Sequence, residues 1–288
     1  MTTPRFWCIP LLATVMAACS GMDKTPQKIT LAFDAAINGQ AFRCGDSYTG
    51  VGTTKSTITP TDFRFYVSQV ELQNQQGLWV PLTLDEDGKW QKGSVALLDF
   101  ENGLAPCRNG TAATNTTVRG ELPAGRYTGL RFTLGVPFEQ NHGDPTTAPA
   151  PLNTTAMFWN WQGGYKFLRF DATSNGLKPG AGEGNTGYNI HLGSTQCAAA
   201  SRTAAPTACQ NSNRVAVLLQ GFDPHKSRVV ADVGPLMASA NVDTNAPKTS
   251  PGCMAFPGDS DCVPVMDALG LPYGDRTAPG PQRLFSLR

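Results

Sequence analysis

Imidazole and indole are the side chains in this sequence best suited to site chemistry. The 288 residues hold three histidines, His142, His191 and His225. His142 falls in the turn-rich run Asn141-His142-Gly143-Asp144-Pro145. In Tyr188-Asn189-Ile190-His191-Leu192-Gly193, strand alternation puts Tyr188, Ile190 and Leu192 on one face and Asn189 and His191 on the other. With the apolar set turned to a core, His191 faces outward or into a groove, where a neutral imidazole is a good ligand for copper or zinc. Trp159 and Trp161 stand two positions apart and share one face of a strand. Each feature also has a bland reading. A Trp-x-Trp pair packs β-sandwich cores, a loop histidine is ordinarily solvated, and two histidines nearly fifty positions apart are a weak metal signal. His225, in Asp223-Pro224-His225-Lys226, reads as a turn residue.

Other chemistries find less support. There is no Gly-x-Ser-x-Gly elbow, no His-Glu-x-x-His and no phosphate-binding glycine loop ahead of a helix. A paired-carboxylate hydrolase rests on Asp and Glu content alone. No close Cys-x-x-Cys pairs mark a zinc site, and without Cys-x-x-Cys-His any haem would sit in a partner chain. A nucleic-acid partner is not expected: 23 Lys+Arg face 22 Asp+Glu and no basic stripe is visible. Apolar residues reach 40%, and 30 Gly with 22 Pro announce many turns around a sizeable core.

The first residues read as a leader. Arg5 precedes an apolar run from Phe6 to Met16, too short for a bilayer span of about 20 residues and suited to a signal peptide. Met16-Ala17-Ala18-Cys19 resembles a lipobox, so 1–18 is expected to be removed and Cys19 lipidated. Ser20, in a place where Asp would signal inner-membrane retention, favours the outer membrane. The alternative is an ordinary signal peptide cut near Ala18. Cys44, Cys107, Cys197, Cys209, Cys253 and Cys262 remain in an exported chain and are expected to form disulfides. Six cysteines allow 15 pairings. Local closure favours Cys197–Cys209 and Cys253–Cys262, leaving Cys44–Cys107.

These elements predict an all-β chain. Ile29, Leu31 and Phe33 alternate, as do Phe63, Phe65 and Val67 before the pattern slips to Val70 and Leu72, which predicts a bulge. Leu78 to Leu84 and Leu130 to Val136 alternate cleanly. Further strands are expected at 95–100, 116–122, 156–161, 165–171, 188–193, 215–222 and 228–233. Many short strands between turn signals indicate an antiparallel β-sandwich with long loops. Residues 177–187 and 198–213 read as loops, and a helix is possible at 263–269. The expected organisation is a leader at 1–18, a tether at 19–27, a sandwich domain at 28–238, and a disulfide-pinned C-terminal extension at 239–288 packed on the same domain.

Three ordered segments carry a resemblance: Gly135-Val136-Pro137-Phe138 with Asn141-His142; Met157-Phe158-Trp159-x-Trp161-x-x-Gly164-Tyr165-Lys166-Phe167; and His191-Leu192-Gly193-Ser194-Thr195-x-Cys197. Together with Phe42-x-Cys44 and Gly252-Cys253…Cys262, they resemble the MbnP-like family from about Ile29 to Leu271. Its members are periplasmic proteins associated with methanobactin and copper gene clusters, also called metallo-mystery-pair four-cysteine proteins. The resemblance implies a non-enzymatic copper-binding protein of the periplasm or outer membrane, with copper as its cofactor. It implies a partner, an MbnH-like di-haem cytochrome c peroxidase-like enzyme, that oxidises one tryptophan to kynurenine. His142 and His191 match the motif histidines and are the implied ligands. Trp159 or Trp161 is the implied oxidation site, with Trp159 the first choice. The four family cysteines map onto Cys44, Cys107, Cys197 and Cys209. Asp144 and Met157 are possible further ligands on proximity in sequence. The competing expectation is an outer-membrane sandwich module that binds a carbohydrate or peptide and has no metal role.

Overall fold

A computed structural model describes residues 25–160, 162–176, 187–201, 204–277 and 279–288. The expected leader, the Cys19 anchor and most of the loop at 177–187 lie outside these residues. Strand β1 (Gln27–Ile37) begins where the tether was expected to end, and it buries Ile29, Leu31 and Phe33 as the alternation predicts. It pairs antiparallel with β4 (Thr117–Leu122) and parallel with β11 (Arg228–Asp232). β12 (Phe285–Leu287) then adds antiparallel to β11. The sheet is therefore mixed rather than purely antiparallel. The C-terminal extension supplies its edge strand, while Gln40–Ala41 and Thr83–Leu84 pair with β1 and β4.

The second sheet is built on β2 (Ser56–Asn74), 19 residues long. Its remaining main strands are β3 (Val95–Asp99), β5 (Tyr127–Leu134), β6 (Leu168–Ser174), β7 (Tyr188–Leu192) and β10 (Val215–Gln220). The order along the sheet is β7-β6-β2-β5-β10, with β3, Tyr48–Val51 and Trp79–Pro81 also on β2. The expected bulge is present. Arg131 faces Glu71 and Thr133 faces Ser68, so one extra β2 residue is accommodated, and Gln69 takes φ +53°.

The inner faces meet through phenylalanines. Phe33 and Phe285 of the first sheet contact Phe65 and Phe132 of the second, with ring centroids 5.1–6.1 Å apart. All four are nearly fully buried, and each such burial is worth roughly 1.5–3 kcal/mol.

Three local expectations change. Leu78 to Leu84 is not one strand: Trp79–Pro81 belongs to the second sheet and Thr83–Leu84 to the first, leaving Leu78 65% exposed. The chain switches sheets there, a change that apolar alternation does not reveal. The expected loop 198–213 contains a hairpin strand, β9 (Ala208–Asn211), paired with β8 (Thr195–Ala198). Of the expected strand 156–161, the described residues 156–160 hold Phe158–Asn160 as strand, after a single 3₁₀ turn.

The disulfides are Cys44–Cys107, Cys197–Cys209 and Cys253–Cys262. Cys197 and Cys209 face each other directly across the β8–β9 ladder. Cys262 opens α2 (Cys262–Ala268), which sits where the possible helix was expected, with Gly270 at φ +71° beyond its end. No helix among the described residues is long and apolar enough to cross a membrane.

Around residues 62–68 the second sheet is buried on both sides. Phe63 and Phe65 turn inward, so Asp62, Arg64 and Tyr66 turn outward, and the segment after β5 covers them. Tyr66 donates to the Pro151 carbonyl at 3.1 Å, Tyr165 donates to the Leu152 carbonyl, and the two rings meet edge to face. This cover converts an ordinary outer face into a second, polar interior.

Candidate metal centre

β-ladder register assembles the polar interior. Asp171 faces Asp62 and Arg169 faces Arg64 across β6–β2, while His191 faces Arg169 across β7–β6. Side chains directly opposite in a ladder share a face, so these charges crowd together. Arg64 donates to both oxygens of Asp62, at 2.9 and 2.5 Å, with both residues at most 1% exposed. Arg169 reaches Asp62 at 3.1 Å and Asp171 at 2.7 Å. A third Arg169 nitrogen donates to the Ala156 carbonyl at 2.9 Å.

Asp171 ends the array on His191. Its Oδ1 lies 2.5 Å from His191 Nε2, and its Oδ2 accepts from Arg169. Burial pushes the Asp171 carboxyl upward. The hydrogen bonds from His191 and Arg169 and the positive charge of Arg169 outweigh that and keep it below the usual carboxylate range. An ionised carboxylate only accepts, so Nε2 carries the hydrogen. His191 Nδ1 is buried and has no hydrogen-bond partner among the described residues. The His191 backbone is clamped as well: its N–H donates to the Cys253 carbonyl at 2.9 Å, and the Cys253 N–H donates to the Asn189 carbonyl at 2.8 Å. Close by, burial beside Arg169 lowers the Lys166 ammonium to about 8, and burial raises the Asp99 carboxyl to about 7.

His142 is held from another direction. It follows the single-turn helix α1 (Phe138–Asn141) and is 6% exposed, not the solvated loop residue that its flanking turn signals suggest. Asn141 accepts the Tyr165 N–H at 2.9 Å, and its amide nitrogen reaches Ser194 Oγ at 3.4 Å and His142 Nε2 at 3.2 Å. His142 Nε2 also lies 3.5 Å from Cys209 Sγ. Among the described residues, His142 Nε2 or Nδ1 and the sulfurs of Cys197 and Cys209 form a group of donor atoms within 4.8 Å of one another. Thiolate is the ligating form of cysteine. With the two sulfurs joined, this group offers one nitrogen.

Both imidazoles are therefore tied to the same strand end. His191 lies on β7, and His142 is linked through Asn141 to Ser194, three residues further along. The donor group around His142 does not include His191 or Asp144. The Asp144 carboxylate is taken up by the Thr146 N–H and hydroxyl at 2.8 and 2.7 Å. Met157 is fully buried in the hydrophobic core. His225 lies in the expected turn, its N–H bonded to Asp223 at 2.9 Å.

Trp159 is half-buried and stacks on Phe256, with centroids 5.6 Å apart. A Cβ on Gly193 would come 2.5 Å from the indole and 2.7 Å from the Tyr165 carbonyl, so only glycine admits the ring there. The indole borders a surface cavity of about 430 Å³ with Ser194, Thr195, Cys197 and Met254. Trp159 thus sits against the same strand end as the two histidines. Trp161 lies outside the described residues.

Asp171, Arg169, Asp62, Arg64 and Asn141 were not expected at the site from sequence. The available signal was the repeated Asp-x-Arg and Arg-x-Asp spacing at 62–64 and 169–171, set among phenylalanines.

The MbnP family model matches residues 26–255. Among solved structures, MbnP from Methylosinus trichosporium superposes with a TM-score of 0.81 at 30% identity. The match covers 91% of this chain and 98% of that one. No curated protein sequence matches significantly.

Proposed function

Because the chain belongs to the MbnP family, we propose that it is a methanobactin-related copper-handling protein, a binder and not a catalyst. His191 and His142 are the protein ligands. The observation that carries this reading is the buried, unpartnered Nδ1 of His191, whose other nitrogen is bonded to a carboxylate. Metal-ligating histidines have this arrangement, with the second ring nitrogen donating to a carboxylate or carbonyl. A buried polar atom without a partner is costly unless something else satisfies it. Bound copper is the cargo, and imidazole nitrogens suit it. His142 approaches the same strand end from α1, and Trp159 supplies an indole there.

The finer parts of the proposal follow the family resemblance. A di-haem MbnH-like partner oxidises Trp159 or Trp161 to kynurenine. Two equivalents of a peroxide-class oxidant carry out the four-electron cleavage of the indole C2–C3 bond to N-formylkynurenine, each delivering one oxygen atom and leaving as water, and a further water then removes the formyl group as formate. The aryl amine and ketone that remain can ligate the ion or hydrogen-bond to its ligands. Export by the leader and a lipid at Cys19 hold the protein at the periplasmic side of the outer membrane.

The test is a Cu(I) and Cu(II) titration of wild type and the His142→Ala/His191→Ala double variant, with intact mass after co-production with the partner. Lost copper affinity and a gain of about 4 Da support the proposal. Unchanged affinity in the double variant favours the second reading, a carbohydrate- or peptide-binding module. That reading has its own observation: a cavity of about 720 Å³ that includes Trp79, Glu71, Gln73, Arg131 and Gln220 in its lining.

A further inference from the structure

We infer that Asp171 is a positioning residue that fixes the tautomer of His191, so that His191 presents Nδ1, not Nε2, to its ligand. This deepens the copper reading above and rests on it. The argument starts from donor and acceptor inventory. Arg169 has no acceptor atom, and it occupies Asp171 Oδ2 at 2.7–2.8 Å. Arg169 is itself fixed from two other sides, by Asp62 and by the Ala156 carbonyl. The Asp171 carboxylate cannot rotate away without giving up one of the two carboxylate partners of a largely buried guanidinium, so Oδ1 stays on His191 as an acceptor. Nε2 must donate to it, and in the neutral ring the lone pair then stands on Nδ1. Asp62 and Arg64 lock the far end of the array by a two-pronged pair that is almost completely buried. The His191 backbone is held independently by Cys253, so the ring is fixed both at its root and at its tip.

The array also predicts what a conservative change would do. In Asp171→Asn, the amide must turn its oxygen toward Arg169, because an N–H facing the guanidinium would set donor against donor. The amide nitrogen then points at His191 and donates to Nε2. His191 is driven to the other tautomer, with the hydrogen on Nδ1, and its outward lone pair is lost with little change in shape.

Metal-free protein, labelled with ¹⁵N in its histidines, gives the first readout by long-range ¹H–¹⁵N correlation. The expected result is a protonated Nε2 and an unprotonated Nδ1 in wild type, exchanged in Asp171→Asn. The second readout is Cu(I) and Cu(II) affinity. It should fall about 10–100-fold in Asp171→Asn and recover in part in Asp171→Glu, which restores an acceptor-only group. A hydrogen on wild-type Nδ1 overturns the inference and leaves the copper reading standing. An exchanged tautomer with unaltered copper affinity overturns the assignment of Nδ1 as ligand atom. Copper affinity unchanged in His142→Ala/His191→Ala sinks the copper-site reading on which the inference rests, a failure told apart by the tautomer of the metal-free wild type. If Asp171→Asn does not fold, the wild-type spectrum alone decides the tautomer.

Discussion

Replacing Asp62 by Asn tests whether the charge array is a structural element or a set of solvated groups. Asp62 is 0% exposed and serves two guanidiniums: Arg64 through both oxygens and Arg169 through one. Asn keeps the shape but removes the carboxylate that both arginines contact directly. Arg64 is 1% exposed, so water screens its charge little. Breaking one partner of a buried pair costs about 3–5 kcal/mol, because the remaining charge is stranded. Unfolding entropy near 2.1 cal/mol/K per residue gives about 0.5 kcal/mol per degree for a chain of this size, so Tm should fall by about 5–9 °C.

Differential scanning calorimetry at neutral pH, disulfides intact, measures this. Two companions sharpen it. Asp62→Asn/Arg64→Gln should be less destabilised than the two single changes added, because it removes the stranded cation together with its partner. Glu86→Gln, at the exposed Lys92–Glu86 pair, should show no resolvable shift. An Asp62→Asn shift no larger than that of Glu86→Gln would refute the reasoning, since it would mean that water reaches Arg64.

Three further outcomes follow from the same geometry. Asp99, raised to about 7 mainly by burial, holds a proton in the folded state that the unfolded chain releases near its ordinary pKa. Wild type should therefore lose stability as pH rises from about 4 to 7, by at most about 4 kcal/mol from this group, and Asp99→Asn should gain on wild type between pH 5 and 8 in urea titrations. Cys197→Ser/Cys209→Ser opens a loop with a sequence separation of 12 and should cost roughly 3 kcal/mol in chain entropy, read by the same titration. Gly193→Ala should displace the Trp159 ring, seen as a changed fluorescence maximum. His191→Ala should leave that maximum nearly unchanged, because no ring contact joins His191 to Trp159 among the described residues.

The sequence displayed the inner faces of the sandwich well and its outer face poorly. Ile29, Leu31 and Phe33 alternate because one side of β1 meets the core, and the slip from Val67 to Val70 is a bulge that any inward-facing strand must show. Alternation separates two faces but does not say that the second is water. Asp62, Arg64, Arg169 and Asp171 look like a solvent side, yet the segment carrying Pro151, Leu152 and Tyr165 lies over them. Their partnership with His191 depends on ladder register across three strands, with 107 positions between Asp62 and Arg169. The motif histidines could be singled out from the sequence, but the carboxylate that orients one of them could not. Polar composition likewise hid the hairpin at β8 and β9, because its strands are too short and too exposed to leave an apolar pattern.

The same geography gives the disulfides a role beyond stability. The strand end that bears His191 is a junction of segments distant in sequence, and two of the three bridges close on it. Cys253 bonds the backbone on either side of Ile190 before it reaches Cys262 on α2. Cys197 and Cys209 staple the hairpin that follows Ser194, and Cys209 lies against the His142 ring. A β-sandwich of this size does not need such bridges to bury its core, since its phenylalanine layer already spans both sheets. What the core cannot do alone is hold the β7 strand end that carries His191 against the segment after α1 that carries His142. Cross-links placed at the junction do that, and they restrict the unfolded chain where ordering the site would otherwise cost the most entropy.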